Sequence, residues 1–187
     1  MVTKVVDTWK KKIWYQINAP QIFEGKVIGS VVSSDGKNLI NRIVKISLDE
    51  LTGNISQTYT VMKLKIYDVK GNTAYTKFVG HEVLPSFIKT FIKRRMTLID
   101  DVIDIKTKDD KNIRIKYIIF TVSKVARGAE AKIRNVVKAE MKKNTQELNL
   151  DQLIQEIFFK KLAIKMIPIA NAIAPIRRIE INKTELK

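Results

Sequence analysis

Three kinds of side-chain grouping in this sequence could do chemistry by type and spacing: a single histidine, a short acidic cluster and several blocks of cations. His81 is the only histidine, and cysteine is absent. Disulfides, thiolate chemistry, Cys-ligated zinc and any His-pair metal site within one chain are thereby removed. A lone histidine just before a helix-period segment is expected to be a hydrogen-bonded boundary residue rather than a base. Asp100, Asp101 and Asp104 have the right chemistry for a hard cation such as magnesium. On a strand, however, Asp101 points away from Asp100 and Asp104, so solvated or salt-bridged acids are the better reading. Asp109 and Asp110 read as turn residues. The seven glycines make neither G-x-G-x-x-G nor a P-loop, and GKVIG at 25–29 has the wrong spacing for either. No catalytic, metal or cofactor-binding residue is assigned, and the expectation is a protein that is not an enzyme and carries no cofactor.

The cations carry the functional signal. Lys and Arg number 35 against 19 Asp and Glu, a net charge of +16. Such an excess repels itself in the folded state, so a polyanionic partner is the first explanation, nucleic acid ahead of an anionic membrane surface. The excess is also segmental. Residues 86–96 hold four cations and no acid: Lys89, Lys93, Arg94 and Arg95. Residues 127–143 hold six cations and two acids, with Arg127, Lys132 and Arg134 among them, and residues 160–187 hold seven cations and two acids, with the adjacent pair Arg177 and Arg178. Near the N-terminus Lys10, Lys11 and Lys12 are interleaved with Trp9, Trp14 and Tyr15. Cations alone make phosphate contacts, whereas cations beside aromatics can also stack unpaired bases. Trp9 and the lysines are the candidate contacts in that block. Trp14, flanked by Ile13 and Ile17, is expected instead to anchor the core. The arginine pairs suit bidentate phosphate contact, with a solvated face as the alternative.

Elements that could position these residues follow from periodicity. Up to about residue 125 the period is two. VIGSVV and RIVKISL read as strands parted by the turn-rich SSDGKN. TYTVMKLKIYDVKGNTAYTKFV reads as a hairpin that buries Met62, Leu64, Ile66, Ala74, Thr76 and Phe78 and leaves Lys63, Lys65, Tyr67, Tyr75 and Lys77 on the other face. Its expected loop is Val69–Lys70–Gly71, with Gly71 left-handed. Residues 82–95 change period: Val83, Leu84, Phe87, Ile88, Phe91 and Ile92 predict an amphipathic helix whose last turn is Lys93–Arg95, where cations suit the negative end of its dipole. A second hairpin, LIDDVIDIKT to IRIKYIIFTV, follows. GAEAKIRNVVKAEMKK predicts a helix with Ile133, Val136, Val137 and Met141 inward, and another helix starts near Asn149, an N-cap with Gln152 three positions on. The tail from Ala174 returns to strand alternation. Together these predict a single α+β domain over 1–187: a β-rich, antiparallel barrel-like core at roughly 13–125 that includes the helix at 82–95, and a helical part with a terminal strand at 128–187. The first residues lack a signal-peptide apolar run, and no stretch approaches the ~20 apolar residues of a membrane span, so a soluble cytoplasmic protein with no membrane partner is expected.

Five stretches read in order resemble one family over nearly the whole chain: KKKIWYQINAPQIF, ISLDELTGN, YDVKGNTAYTKFVGHE, RRMTLIDDVIDIKTKD and APIRRIEI. They are similar to the archaeal and eukaryotic small-subunit ribosomal protein S-three-a-e, or eukaryotic-type S-one, family. The lack of long extensions points to the archaeal form. The resemblance implies a β-barrel-like core with attached helices, seated on the platform of the small ribosomal subunit near the 3′ end of its RNA and the mRNA exit region. It implies ribosomal RNA and neighbouring ribosomal proteins as partners, with mRNA near the exit as a further one. The family's basic N-terminal motif falls on Lys10 to Lys12 with Trp14 and Tyr15, its post-helix arginines on Arg94 and Arg95, and its tail arginines on Arg177 and Arg178. Ala174 and Asn182 depart from the family's pattern in the tail, which puts RNA contact there in doubt. A free-standing single-strand RNA-binding barrel is the alternative that would suit the same basic, tyrosine-bearing hairpin face.

Overall fold

The hairpin at the middle of the chain forms as its alternation dictates. In the computed structural model, which describes residues 8–187, β4 (Thr60–Lys70) and β5 (Thr73–Val83) meet at Gly71, whose φ is +58°. Met62, Leu64, Ile66 and Ala74 are fully buried, with Thr76 and Phe78 nearly so, while Tyr67 and Lys77 on the opposite face are exposed. The turn is tighter than the expected three-residue loop, because both strands run on to flank Gly71 and Asn72.

The fold is α+β, with eight strands and five α-helices among the described residues, the first helix being α1 (Leu48–Thr52). It divides into two compact units, residues 1–79 and 80–187. In the first unit β1 (Ile13–Asn18) pairs antiparallel with β2 (Val27–Ser33) and parallel with the start of β5, while β4 joins β5 to β3 (Ile43–Ser47). Two expectations are corrected here. The β1–β5 pairing is parallel, and the sheet is open: β2 pairs only with β1, and β3 only with β4, so no closed barrel forms among the described residues. A core of Tyr15, Leu39, Ile66 and Ala74 lies under Val31, Val44 and Val69.

The second unit is antiparallel. The end of β5 pairs with β8 (Ile176–Leu186), β8 with β7 (Asn112–Thr121), and β7 with β6 (Leu98–Lys106) in one unbroken register from Leu98↔Phe120 to Lys106↔Asn112. Tyr117 to Thr121 are all buried, as a strand covered on both faces requires. On one face Ile118 and Phe120 pack with Ile88 of α2 (Pro85–Thr90). The other face carries α3 (Arg127–Gln146), whose Ile133, Val137, Met141 and Thr145 form a buried row at a spacing of four; Val136 falls outside it. α4 (Leu150–Phe158) begins on the Asn149–Gln152 capping box, and the Leu150 amide also donates to Asp109 Oδ2 at 2.9 Å. Lys160, in the left-handed conformation, separates α4 from α5 (Lys161–Asn171).

The helix expected over 82–95 is much shorter, for a physical reason. Strand pairing holds the chain extended through Val83, so Leu84 becomes the N-cap and Pro85 the first helical residue. At the other end Thr90 Oγ1 donates to Phe87 O at 2.6 Å, and the amides of Phe91 and Ile92 close three-residue rather than four-residue rings. Phe87 and Phe91 are half-buried beside Ile88, whereas Ile92 is 51% exposed.

Strand β8 can lie against β5 only because residue 80 has no side chain. A Cβ there would stand 2.2 Å from the Thr184 carbonyl oxygen. Gly80→Ala is therefore expected to destabilise the chain by about 1–3 kcal/mol, as forced overpacking does, measured as a lower urea midpoint. Gly128→Ala, which meets nothing within 4 Å, is the control and should leave the midpoint unchanged or raise it.

Candidate nucleic-acid interface

The cations divide by whether an acid already holds them. Arg114 makes a two-pronged bond to Asp104, with Nε 2.7 Å and Nη2 2.9 Å from its oxygens, and Lys187 Nζ lies 2.8 Å from Asp104 Oδ2. These hydrogen bonds hold the Asp104 carboxyl well below the usual carboxylate range and push Arg114 further up. Lys138 stands 3.6 Å from Asp101, which also accepts from the Tyr117 hydroxyl at 3.1 Å. Burial, and then the Asp101 charge, raise the Tyr117 phenol above its ordinary value. The acids singled out for a possible magnesium site are thus mostly ion-paired, and no cluster able to hold a metal occurs among the described residues. Asp104 lies below its ordinary value of 3.8 in the folded state, so its contribution is full above about that pH and fades as pH falls toward the depressed value. In acid titration of stability, Asp104→Asn should accordingly flatten the loss below that pH and lower stability slightly at neutral pH.

His81 behaves as the bland expectation has it, though on β5 rather than beside a helix. It is 2% exposed, its Nδ1 lies 2.6 Å from Thr184 Oγ1, and its ring meets Phe158 edge-on at 5.6 Å.

Two candidate arginines are spoken for. Arg134 pairs with Glu130 at 2.9 Å across one turn of α3. Arg178 lies over the Phe91 ring at 4.3 Å and donates to Glu180, which is only 3% exposed and also takes Lys160 at 3.1 Å. Its neighbour Arg177 is different. The β7–β8 register skips one residue between Phe120↔Arg178 and Thr121↔Ile176, so Arg177 is the extra residue of a β-bulge and is exposed.

Lys93, Arg94 and Arg95 are not the last turn of a helix. They lie in the exposed turn between α2 and β6, with Arg95 at φ +62°. The turn is anchored at its end by Thr97: the Thr97 amide donates to Thr121 Oγ1 at 2.8 Å, the Thr121 amide to Thr97 O at 3.2 Å, and the Val125 amide to Thr97 Oγ1 at 3.0 Å. The Val122 amide in turn donates to Pro175 O at 2.9 Å. These bonds draw the basic turn, the start of β8 with Arg177, and the start of α3 with Arg127 to one end of the second unit's sheet. Lys93, Arg94, Arg95, Arg127 and Arg177 are all exposed, and none makes an ion pair with a described residue. Lys89 is exposed on α2 and Lys132 along α3.

In the first unit, Trp9 to Lys11 lie in a short 3₁₀ turn (Thr8–Lys11) and Lys12 precedes β1, with Lys12 Nζ 4.1 Å from the Trp9 ring. All four side chains are exposed. Trp14 overturns the expectation of a core anchor: it is 63% exposed, because Tyr15 and Ile17 take the inward positions of β1. Sequence reasoning therefore left Trp14 out of the candidate contacts, and it also had no signal for the Thr97–Thr121 anchor.

Several acids are held in ion pairs within the fold, a group of unpaired cations is displayed on a turn and a bulge, and no metal-holding cluster accompanies them among the described residues. Comparison with known proteins carries this further. The family model described as the Ribosomal S3Ae family matches residues 1–187. The small ribosomal subunit protein eS1 of Methanothrix thermoacetophila is 36% identical over 177 residues, 95% of this chain and 84% of that protein. The eS1 proteins of Desulfurococcus amylolyticus and Staphylothermus marinus are each 35% identical over 182 residues, 97% of this chain and 85% and 86% of theirs. The chain belongs to the Ribosomal S3Ae family. It is a ribosomal protein, structural and not catalytic, and no helix among its described residues is long and apolar enough to cross a membrane.

The adjacent tail arginines should separate on substitution. Arg177→Gln is expected to leave stability within about 0.5 kcal/mol. Arg178→Gln removes one of the two cations on buried Glu180 and should cost about 1–3 kcal/mol. Urea denaturation of the two variants distinguishes them, and equal values would refute the division.

Proposed function

We propose that this chain is a structural component of the small ribosomal subunit that binds ribosomal RNA through its unpaired cations. The family resemblance supports a seat on the platform, near the 3′ end of the small-subunit RNA and the mRNA exit region, with neighbouring ribosomal proteins and mRNA close by and the cytoplasm as the compartment. The observation that carries the RNA-binding reading is the gathering of Lys93, Arg94, Arg95, Arg127 and Arg177 at one end of the second unit's sheet, exposed and free of acid partners among the described residues. Guanidinium groups so displayed match phosphate oxygens two bonds at a time, and ammonium groups add point charge. Phosphate contact fixes position and carries little sequence information, which suits a component that recognises a folded RNA by its backbone.

Binding of the full chain to a small-subunit rRNA fragment should weaken steeply with salt. Changing Lys93, Arg94 and Arg95 together to Gln should flatten the log–log slope by roughly 0.7–0.9 for each phosphate that is no longer neutralised. Circular dichroism should be unchanged, because all three side chains are exposed. In competition with the unmodified chain, the triple variant should enter ribosomal subunits poorly. Equal incorporation together with an unchanged slope would overturn the assignment of this turn to RNA.

A further inference from the structure

A second group of cations lies in the first unit, on the outer side of its sheet, and strand alternation puts it there. Met62, Leu64 and Ile66 of β4 turn inward and are fully buried, so Lys63, Lys65 and Tyr67 turn outward. On β3 the buried residue is Ile46, and Lys45 beside it is exposed. On β5, Thr76 and Phe78 are buried and Lys77 between them is exposed. The antiparallel register sets Lys45 directly opposite Lys63, and Ile43 opposite Lys65. No acid interrupts this face: residues 43–47, 61–67 and 73–79 contain none. The first acid beyond them, Asp68, stands 3.8 Å from Lys70 Nζ and is taken up there. Lys45, Lys65 and Lys77 make no ion pair with a described residue.

Two exposed rings share the face. Tyr67 follows Lys65 by two residues and is 53% exposed, and Trp14 is exposed on β1 because Tyr15 and Ile17 take the inward positions. The parallel register, Gln16↔Thr73 and Asn18↔Tyr75, lines up the outward side of β1 with that of β5. Trp14 and Tyr67 therefore belong to one surface, toward the Gly71 turn, with the lysines behind them. Charge alone would suit an acidic protein segment as well as RNA. Rings beside the lysines favour RNA, because unpaired bases stack on aromatic side chains whatever their sequence. Spacing agrees: alternate residues of one strand stand about 7 Å apart, close to the step between successive phosphates of an extended RNA strand.

We propose that this face carries a single-stranded segment of ribosomal RNA, its phosphates over Lys45, Lys65 and Lys77 and its bases against Tyr67 and Trp14. Stacking and phosphate contact carry little base preference, so the binding tolerates any sequence. The proposal rests on the RNA-binding reading above and adds a contact of another kind. The basic turn of the second unit meets a folded backbone; the sheet of the first unit meets an unpaired strand.

The test uses the full chain and fluorescein-labelled dodecauridylate and dodecacytidylate, with anisotropy as the readout. The rRNA fragment is a parallel ligand, and a polyglutamate peptide of equal charge stands for an acidic protein. The unmodified chain should bind the two short RNAs with similar affinity. Changing Lys45, Lys65 and Lys77 together to Gln should weaken both at least tenfold and flatten the log–log salt slope by roughly 0.7 for each phosphate no longer neutralised. Lys65 is half-buried, so Lys45→Gln with Lys77→Gln, at two exposed sites, is the second variant and should give a smaller loss. Tyr67→Leu should weaken both RNAs at least fivefold, and Tyr67→Phe should retain them, since the ring face survives. Trp9→Phe leaves Trp14 as the only tryptophan, and saturating RNA should then quench its emission; an unquenched Trp14 is removed from the site. Thermal melts confirm that each variant is folded. If the lysine variants bind the short RNAs as the unmodified chain does while the rRNA fragment still binds, this proposal is overturned and the RNA-binding reading stands. If polyglutamate binds as tightly as the short RNAs through the same lysines, the face belongs to an acidic protein and its assignment to RNA is overturned. A chain that binds neither the short RNAs nor the fragment overturns both readings.

Discussion

The close passage of β8 over Gly80 is the constraint on which the second unit depends. The last strand of the chain is not an edge; it is inserted between the end of β5 and β7, and its Thr184 carbonyl takes the space a side chain at residue 80 would fill. His81 reinforces the join from the next position, through Thr184 Oγ1. The placing of Arg177 beside the basic turn follows from the insertion. With β8 in place its first residues align with Phe120 and Thr121, which sets Arg177 and Pro175 at the sheet end where the basic turn arrives. The approach of residue 80 to residue 184 joins positions far apart in sequence, a non-local contact that carries a loop-closure cost.

Charge is arranged around the same frame. Several of the acids stand where an ion pair also fixes geometry. Asp104 ties β6 to β7 and to the C-terminal residue; Glu180 joins Arg178 and Lys160; Asp101 holds Lys138 of α3. Solvent-exposed pairs contribute little to stability singly. Their larger effect is subtractive: they remove specific cations from the pool that can meet a polyanion. The net charge of +16 is therefore not spread evenly, and part of the excess that remains lies on the basic turn, on the bulge and along α3.

Much of the scaffold was legible because its periodicity is strict. Met62, Leu64 and Ile66, the β6–β7 hairpin, the row Ile133–Val137–Met141 and the Asn149–Gln152 box are local patterns, and local patterns survive folding when nothing competes with them. The failures fall where a distant partner decides. Trp14 reads as core by type, yet the register of β1 gives the inward positions to Tyr15 and Ile17. Residues 82–95 have helical periodicity throughout, but pairing with β8 claims their start, and the threonine at 90 closes the helix early. Arg177 and Arg178 are indistinguishable in sequence, and only a bulge sends one to solvent and the other onto Phe91. The open sheet and the parallel β1–β5 pairing depend on strand order, which alternation does not encode.

The basic turn shows why that last kind of information matters for function. A helix C-terminus would have explained Lys93, Arg94 and Arg95 by dipole compensation alone, worth about 0.3–1 kcal/mol when exposed. The chain instead leaves the helix before them, and Arg95 takes a left-handed conformation that costs a residue with a Cβ roughly 1–2 kcal/mol. Neither feature gains from the dipole, so the cations need another reason to be there. The bonds through Thr97 hold the end of the turn to β7 and to the start of α3, and thus fix where the three side chains emerge. A turn fixed before binding loses less freedom when it meets a folded RNA backbone than a flexible one would. The dipole account supplies no reason for a left-handed Arg95 beside unpaired charge, whereas the RNA contact proposed for this turn does.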